Sequence, residues 1–569
     1  MTPSMGDASG KLVLSLPGDL KQEFTLSKAC VTIGRAATSD IVLRDSKVSR
    51  CHARVQCSRQ GCEVEDLGSA NGILLNGVSV ARAALSPGDV LVVGDCSFRF
   101  ETDGEEPDPE MTRVESEQDV EATMLQAPLS VHLEETSLPR VAVHTSAKTW
   151  EASMGGDSLT IGRDPQSDIV LDSPRVSRHH AVLERKGDSF SVRDLQSGNG
   201  TWVGGQRVSR VAVSDGDTIQ IGPAQLIFKQ GFSPDDLTIV ERRPGATAKR
   251  RAVVVVPGFA GSNLWRGSEQ VWPAPRMLLA HPGLLDLEQP LEARGLVNEV
   301  VIIPKLIRQD QYSLLTDYLK EDLGYEVGAD LMEFGYDFRQ DNRASAKHLA
   351  AAIDSWKFTG PVTIIAHSMG CLVARYYIER LGGKKNVERV IFLGGPHSGT
   401  PYAFASLLKG PDLLPLGLMN ARLRDVLATY PSWYQILPTY RFVSDQRSHF
   451  EVLSEESWLH EEHRPLLRRA REFRAELGTG SSVPAVCVFG YGLKTITGAK
   501  VEREPLSVCH KADLVVTARG DGTIPETSAV MQGAEIHPVR QHHGALYVDN
   551  DVKMRLKLEL TREPALAAG

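Results

Sequence analysis

The sequence predicts a multidomain fold: two all-β sandwiches followed by one mostly parallel α/β domain that carries an inserted lid. Three observations predict it. "IGRAATSDIVLRDSKVSRCHA" (33–53) returns as "IGRDPQSDIVLDSPRVSRHHA" (161–181), within a set of short, turn-broken alternating runs. Beyond residue 250, apolar runs such as "AVVVV" alternate with helix-length amphipathic stretches, the pattern of a parallel sheet with helices on both faces. "AHSMG" (366–370) sits between an apolar run, "PVTII", and a helical run, "CLVARYYIERL". At 569 residues the chain has room for about three or four domains. The boundaries read 11–102 and 138–230 for the sandwiches, 103–137 and 231–250 for linkers, and 251–562 for the α/β domain, with the lid at about 401–482.

The repeat keeps a constant offset of 128 positions: Arg35 to Arg163, Ser49 to Ser177, His52 to His180, Asn71 to Asn199 and Gly94 to Gly222. "DLGSANG" (66–72) matches "DLQSGNG" (194–200), and "PGDVLVVG" matches "DGDTIQIG". Gly-Arg, Ser-Arg-x-His and Asn-Gly at these spacings resemble the forkhead-associated (FHA) domain, a reader of phosphothreonine peptides. The chemistry agrees, because a phosphate dianion needs a planar, permanently charged donor beside hydroxyl or amide donors on a preorganised loop. The resemblance implies that Arg35, Ser49 and Arg50 hold phosphate in the first copy, and Arg163, Ser177 and Arg178 in the second. Asn71 and Asn199 then bond the peptide backbone, and His52 and His180 prop the loops. The second copy, "SGNGT", stands nearer the family pattern than "SANGI", which has Ile73 where Thr is common.

The formal charge of −9 comes from 63 basic and 72 acidic residues. Residues 103–126 alone hold nine acids and one base, so the folded parts are near neutral, which argues against a nucleic-acid binder. That stretch, with proline and no periodicity, reads as disordered. It contains Thr112 ("PEMTRV") and Thr123 ("VEATML"), and the second linker contains Thr238 ("DDLTIV"). All three are candidate phosphosites for a Ser/Thr protein kinase, and the phosphorylated linker is then a ligand for the neighbouring sandwiches, alongside any other phosphothreonine-containing protein. The amino terminus has no signal-peptide pattern, and no window approaches about 18 apolar residues. The eight cysteines show no framework spacing, so a reducing, cytoplasmic setting is expected. "CHARVQCSRQGC" (51–62) alternates as a strand rather than spacing its ligands for zinc. No metal and no cofactor are expected.

In the α/β part, "QYSLLTDYLKEDLGY" and "ASAKHLAAAIDSW" read as helices, while "EVGADLMEF", "VERVIFLGGP" and "PAVCVFGYG" read as strands. "AHSMG" departs mildly from Gly-x-Ser-x-Gly, since Ala366 adds only a methyl at the first small position and Gly370 keeps the second. Ser368 then sits exposed at a strand-to-helix tip. The Met369 amide at the helix start and the Phe259 amide in "PGFAG" are the expected oxyanion donors. A serine nucleophile needs a base and the base needs a carboxylate, in the chain order Ser, acid, His. Asp521 in "RGDGTIP" follows an apolar strand, and His543 in "QHHGAL" comes some twenty residues later; Asp513 and His542 are the rivals.

"VVPGFAGSNLW", "EFGYDFR" (333–339), "AHSMGCLVARYY", "FLGGPHSGTP" and "GDGTIP" resemble the lecithin–cholesterol acyltransferase family of α/β-hydrolases, in order over about 250–560. The family's catalytic histidine often precedes x-x-Leu or x-x-Met, which His543 satisfies and His542 does not. The family's Pro-Tyr-Asp-Trp-Arg stretch stands here as Gly335-Tyr336-Asp337-Phe338-Arg339. The resemblance implies a serine esterase, lipase or O-acyltransferase acting on an acyl ester or lipid. The alternative is a phosphorylation-dependent scaffold with an inactive hydrolase fold; a peptidase or amidase shares every motif. The basic run "EEHRPLLRRAREFRAEL" reads as a solvated helix face and leaves a membrane-surface contact open.

Overall fold

The computed structural model describes residues 10–15, 21–26, 30–34, 39–43, 48–49, 52–58, 61–67, 69, 72–75, 78–80, 82–86, 88–93, 96–102, 138–187, 189–231, 251–274, 281–303, 307–310, 312–358, 360–410, 420–445, 449–501 and 512–561. One compact unit holds the first sandwich; another holds the second sandwich together with the α/β domain.

Both amino-terminal copies are two-sheet sandwiches with the same strand order. Counting strands within each copy, one sheet runs 2-1-11-10-7-8 and the other 4-3-5-6-9. Alternation drives this. In Thr218–Ile221 the two isoleucines are buried and the alternating Thr218 and Gln220 are partly exposed. Ile33, Val55, Leu91 and Phe98 fill the first core, and Ile161, Leu183, Ile219 and Phe228 the second. Each such side chain contributes roughly 1.5–3 kcal/mol on burial. The second sandwich uses strands β1 (Arg140–His144), β2 (Thr149–Ser153) and β3 (Ala224–Lys229), with β1 between the other two. Val141 and Val143 of β1 face the sandwich core, whereas Ala142 and Ile227, on its other side, join the core of the α/β domain.

One cysteine expectation is corrected here. Cys57 and Cys62, expected as ordinary strand and turn positions, face each other across a hairpin and are joined as a disulfide. Their Cα atoms lie 4.1 Å apart because they are directly opposed in the ladder.

The α/β domain is built on six parallel strands: β4 (Ala252–Val256), β5 (Leu331–Glu333), β6 (Val362–His367), β7 (Val387–Leu393), β8 (Ala485–Gly490) and β9 (Glu535–Val539). Their spatial order is β5-β4-β6-β7-β8-β9. Every residue of β4 is buried, as expected of a strand covered on both faces. Val254 and Val256 pack into one core, and Val253 and Val255 into the other. The first core is completed by helices α1 (Asn342–Ser355) and α2 (Gly370–Arg380), which are joined there by α3 (Pro401–Lys409), α4 (Asn420–Leu427), α5 (Pro431–Gln435) and α6 (Arg464–Leu477). The second is completed by α7 (Asn550–Thr561).

The expected strand over "EVGADLMEF" is confined to Leu331–Glu333, because Glu326 to Asp330 close a turn in which the Glu326 amide donates to Asp330 at 2.7 Å. "QYSLLTDYLKEDLGY" begins as an α-helix at Ser313–Asp317 and continues as a π-type turn over Tyr318–Asp322. The basic run forms α6, whose Leu467, Ala470, Phe473 and Leu477 are buried. Its arginines bond the protein's own groups: Arg468 and Arg471 pair with Glu456, Arg469 pairs with Asp341, and Arg474 donates to the His397 carbonyl.

Candidate functional site

Ser368 directly follows β6 and lies two residues before α2. Its φ of 53° is left-handed, which costs a non-glycine residue roughly 1–3 kcal/mol and persists only where the surroundings enforce it. Three constraints do so here. The Ser368 amide donates to the Leu393 carbonyl at 2.9 Å. A Cβ on Gly370 would overlap the Pro257 carbonyl, and one on Gly258 would come within 2.7 Å of Ser368 Cβ. Ala366 is tolerated because it is still inside β6, fully buried and paired with Val256 and Phe392.

The side chain of Ser368 meets those picked out downstream. Ser368 Oγ lies 2.9 Å from His543 Nε2, and His543 Nδ1 lies 2.8 Å from Asp521 Oδ2. Asp521 is completely buried. Burial alone would raise its pKa, but His543 and the amides of Ile524 and Thr523 outweigh that and hold it below the usual carboxylate value. The His543 amide in turn donates to the Asp521 carbonyl at 2.9 Å, so acid and base share two bonds. The rivals lie elsewhere. Asp513 is exposed on the strand Ala512–Thr517, opposite Lys500, and His542 turns its ring toward Gly522.

The Met369 amide heads α2, and Phe259 follows Gly258 in a turn strained at Ala260, whose φ is 61°. The sequence "GYDFR" supports that turn. Tyr336 Oη donates to the Pro257 carbonyl at 2.9 Å, while Arg339, fully buried, pairs with Asp337 and donates to the carbonyls of Asp286 and Gln289. Phe338 lies edge-on to Phe259, with ring centroids 4.9 Å apart. Phe259 and Phe338 then line an apolar recess with Trp272, Leu427 and Tyr430. Within the expected lid, the segment around α4 and α5 walls this recess, whereas α6 packs behind α2.

His367 and Tyr312 were not picked out from sequence. The Gly258 amide donates to Tyr312 Oη at 2.7 Å, which leaves the hydroxyl proton for His367 Nδ1, also at 2.7 Å. His367 Nε2–H then donates to the His543 carbonyl at 3.1 Å. Burial, reinforced by His543, pushes the His367 pKa down to about 3, so the ring stays neutral in that tautomer. The only sequence signal was a histidine closing an otherwise apolar strand.

In the second sandwich, Arg163, Arg178 and Asn199 are exposed and Ser177 is half-buried, all on loops. Ser177 Oγ accepts from the Gly198 amide at 3.1 Å, and Asn199 Nδ2 donates to the Arg175 carbonyl at 2.7 Å, tying two loops together. His180 is buried beneath them, accepting from the Ser177 amide and reaching the Gly200 carbonyl at 3.2 Å. Gly162 must be glycine, since a Cβ there would overlap the Arg178 carbonyl. In the first sandwich His52 makes the matching bonds, to the Ser49 amide at 2.9 Å and the Gly72 carbonyl at 3.0 Å. Arg35, Arg50, Asn71, Thr112, Thr123 and Thr238 lie outside the described residues. Among the described residues no group of metal-ligating side chains gathers, and no helix is long and apolar enough to cross a membrane.

Three family models match segments of the chain: the FHA domain over 159–222, the inner membrane component of T3SS, cytoplasmic domain, over 19–104, and lecithin:cholesterol acyltransferase over 302–469. The amino-terminal region therefore matches FHA-like domains, and the carboxy-terminal region matches the lecithin:cholesterol acyltransferase family with an α/β-hydrolase architecture. Among curated relatives, the oxoglutarate dehydrogenase inhibitor of Corynebacterium jeikeium is 44% identical over 75 residues, 13% of this chain and 52% of its own. The glycogen accumulation regulator GarA of Mycolicibacterium smegmatis is 44% identical over 79 residues, 14% of this chain and 50% of its own. The chain thus spans about half the length of these relatives. A solved complex of Mycobacterium tuberculosis EmbR with a low-affinity phosphopeptide is 36% identical, with a TM-score of 0.16, over 16% of this chain and 25% of that one. The Tle4–Tli4 complex is 14% identical, with a TM-score of 0.40, over 56% of this chain and 99% of that one.

Proposed function

We propose that the chain is a serine esterase, lipase or O-acyltransferase for an acyl ester or lipid, carried with phosphothreonine-reading sandwiches. The observation that carries the enzymatic half is the continuous hydrogen-bonded line from Ser368 through His543 to Asp521 at the end of β6. In this reading His543 Nε2 takes the Ser368 hydroxyl proton as Oγ attacks the acyl carbonyl. Negative charge gathers on the carbonyl oxygen, where the Met369 and Phe259 amides donate to it. His543 then returns its proton to the leaving alcohol oxygen, freeing the alcohol and leaving an acyl-serine. Water or an acceptor alcohol repeats the cycle with His543 as base. Asp521 holds the ring with Nε2 toward the serine. The apolar recess beside Phe259 suits the acyl chain.

What supports the reading half is the loop cluster of Arg163, Ser177, Arg178 and Asn199 over buried His180, with the FHA match covering the same segment. A phosphothreonine ligand presupposes ATP and Ser/Thr kinases, which is the ground for a cytoplasmic setting. A panel of p-nitrophenyl esters of increasing chain length tests the enzymatic half. Turnover lost in Ser368→Ala supports it, and no turnover of any ester by a protein that also resists a fluorophosphonate leaves a scaffold.

A further inference from the structure

The segments that carry Asp521 and His543 are each held on both sides by the second sandwich. The acid loop lies between Arg519 and Glu526. Arg519 donates to the Ser146 carbonyl at 2.8 Å, and Thr149 Oγ1 donates to Glu526 at 2.6 Å. His144 supports that threonine, Nδ1 to Oγ1 at 2.8 Å, and sets its ring against Phe489 with centroids 5.5 Å apart. Phe489 precedes Gly490, where a Cβ would come within 2.5 Å of Asp521 Cβ. The histidine segment lies between Pro538 and Asp551. Lys229 Nζ donates to the Pro538 carbonyl at 2.7 Å and pairs with Asp551 at 3.1 Å, while Arg140 also pairs with Asp551. Lys229 and Arg140 are 2% and 3% exposed, and Glu151 of β2 completes their charge balance.

A free-standing sandwich would show this face to water, and in the first copy part of it is exposed. By strand register, Arg99 and Glu101 stand where the second copy has Ile227 and Lys229, and Lys11 where it has Arg140. Arg99 is exposed, and Lys11 with Glu101 forms a half-exposed pair. At these three positions the second copy is buried where the first is exposed or half-exposed. Burying that many charges is tolerable only where their partners are in place. Among the described residues the hydrogen bonds and ion pairs to the hydrolase domain come from 140–149, 216 and 229. None comes from the loops bearing Arg163, Ser177 and Asn199.

We propose that the second sandwich is a positioning element of the hydrolase site: its 144–149 turn and its Arg140–Lys229 pair clamp the acid loop and the histidine segment in register with Ser368. This rests on the reading of Ser368, His543 and Asp521 as the reacting groups. Thr149, Lys229 and Arg140 touch no substrate; they act through the segments they hold. A misplacement of base or acid by about 1 Å costs as much as a hundredfold in rate, so a loosened clamp is felt in turnover rather than in substrate binding.

The test uses the full chain with Thr149→Val, Thr149→Ser and Lys229→Met. Fluorophosphonate labelling rates, kcat and KM on p-nitrophenyl butyrate, and hydrogen exchange over 519–526 and 541–551 are measured. Thr149→Val is nearly isosteric and removes the hydroxyl that donates to Glu526. It is expected to slow labelling roughly tenfold, to lower kcat with KM unchanged, and to speed exchange over 519–526. Thr149→Ser restores all three. Lys229→Met speeds exchange over 541–551. Unchanged exchange in both Thr149→Val and Lys229→Met overturns the clamp, and so do loosened segments with an unchanged labelling rate. A wild-type chain that takes no label instead defeats the catalytic reading, and exchange alone then decides whether the sandwich holds these segments.

Discussion

Removing the Ser368 hydroxyl leaves His543 and Asp521 without a nucleophile, so Ser368→Ala should lower ester turnover by at least about a thousandfold while the fold persists. The rival pairs sharpen this. Asp521→Asn should cost on the order of 10⁴ in kcat, because the amide favours the wrong tautomer of His543, whereas Asp513→Ala should change little. His543→Ala should abolish turnover and His542→Ala should not. Steady-state kinetics on one ester checks all five. In the sequence, loop position and chain order set Asp521 and His543 apart from Asp513 and His542. His367 and Tyr312 stayed hidden, since their link to Gly258 and to the His543 carbonyl joins residues far apart in the chain. Glycine 370 was legible as a small residue, but the Pro257 carbonyl that requires it was not. Gly370→Ala should therefore destabilise by roughly 1–3 kcal/mol, read as a lowered denaturation midpoint.

At the scale of elements, long buried strands were the most legible. "AVVVV" and "VTIIA" are covered on both faces, and apolar runs of that length leave few alternatives. The segment 326–334 misled because Val, Leu and Met imitate a strand while Glu326 and Asp330 close a turn. The repeat gave two sandwiches of one topology, yet not their different fates, since a face carrying Ile227, Arg140 and Lys229 reads as an ordinary mixed surface until its partner is seen. The loops bearing Arg163, Ser177 and Asn199 carry a prediction of their own. Arg163→Ala should strongly reduce discrimination between a phosphothreonine peptide and its unphosphorylated form, because it removes one of the two guanidinium donors, Arg163 and Arg178, proposed for the phosphate. Calorimetry with both peptides decides it, and retained discrimination would remove Arg163 from the site.

Across the whole molecule, several buried histidines impose a shared acid limit. Burial holds His367, His397 and His537 well below the ordinary imidazole value, so the native state declines protons that the unfolded chain accepts. Unfolded histidine titrates near 6.5 and native His367 near 3. Between those values the unfolded state binds more protons, and stability falls as pH falls, by about 1 kcal/mol per group per pH unit. Melting temperature should thus drop from pH 7 to pH 5, and a flat profile would contradict the neutral burial of these rings. The central claim is that a competent serine hydrolase site stands at the end of β6, held in register by the second sandwich. Labelling the full chain with a fluorophosphonate and mapping the adduct tests it most directly. The expected result is one adduct, on Ser368, lost in His543→Ala; no adduct, or one on another serine, would contradict it.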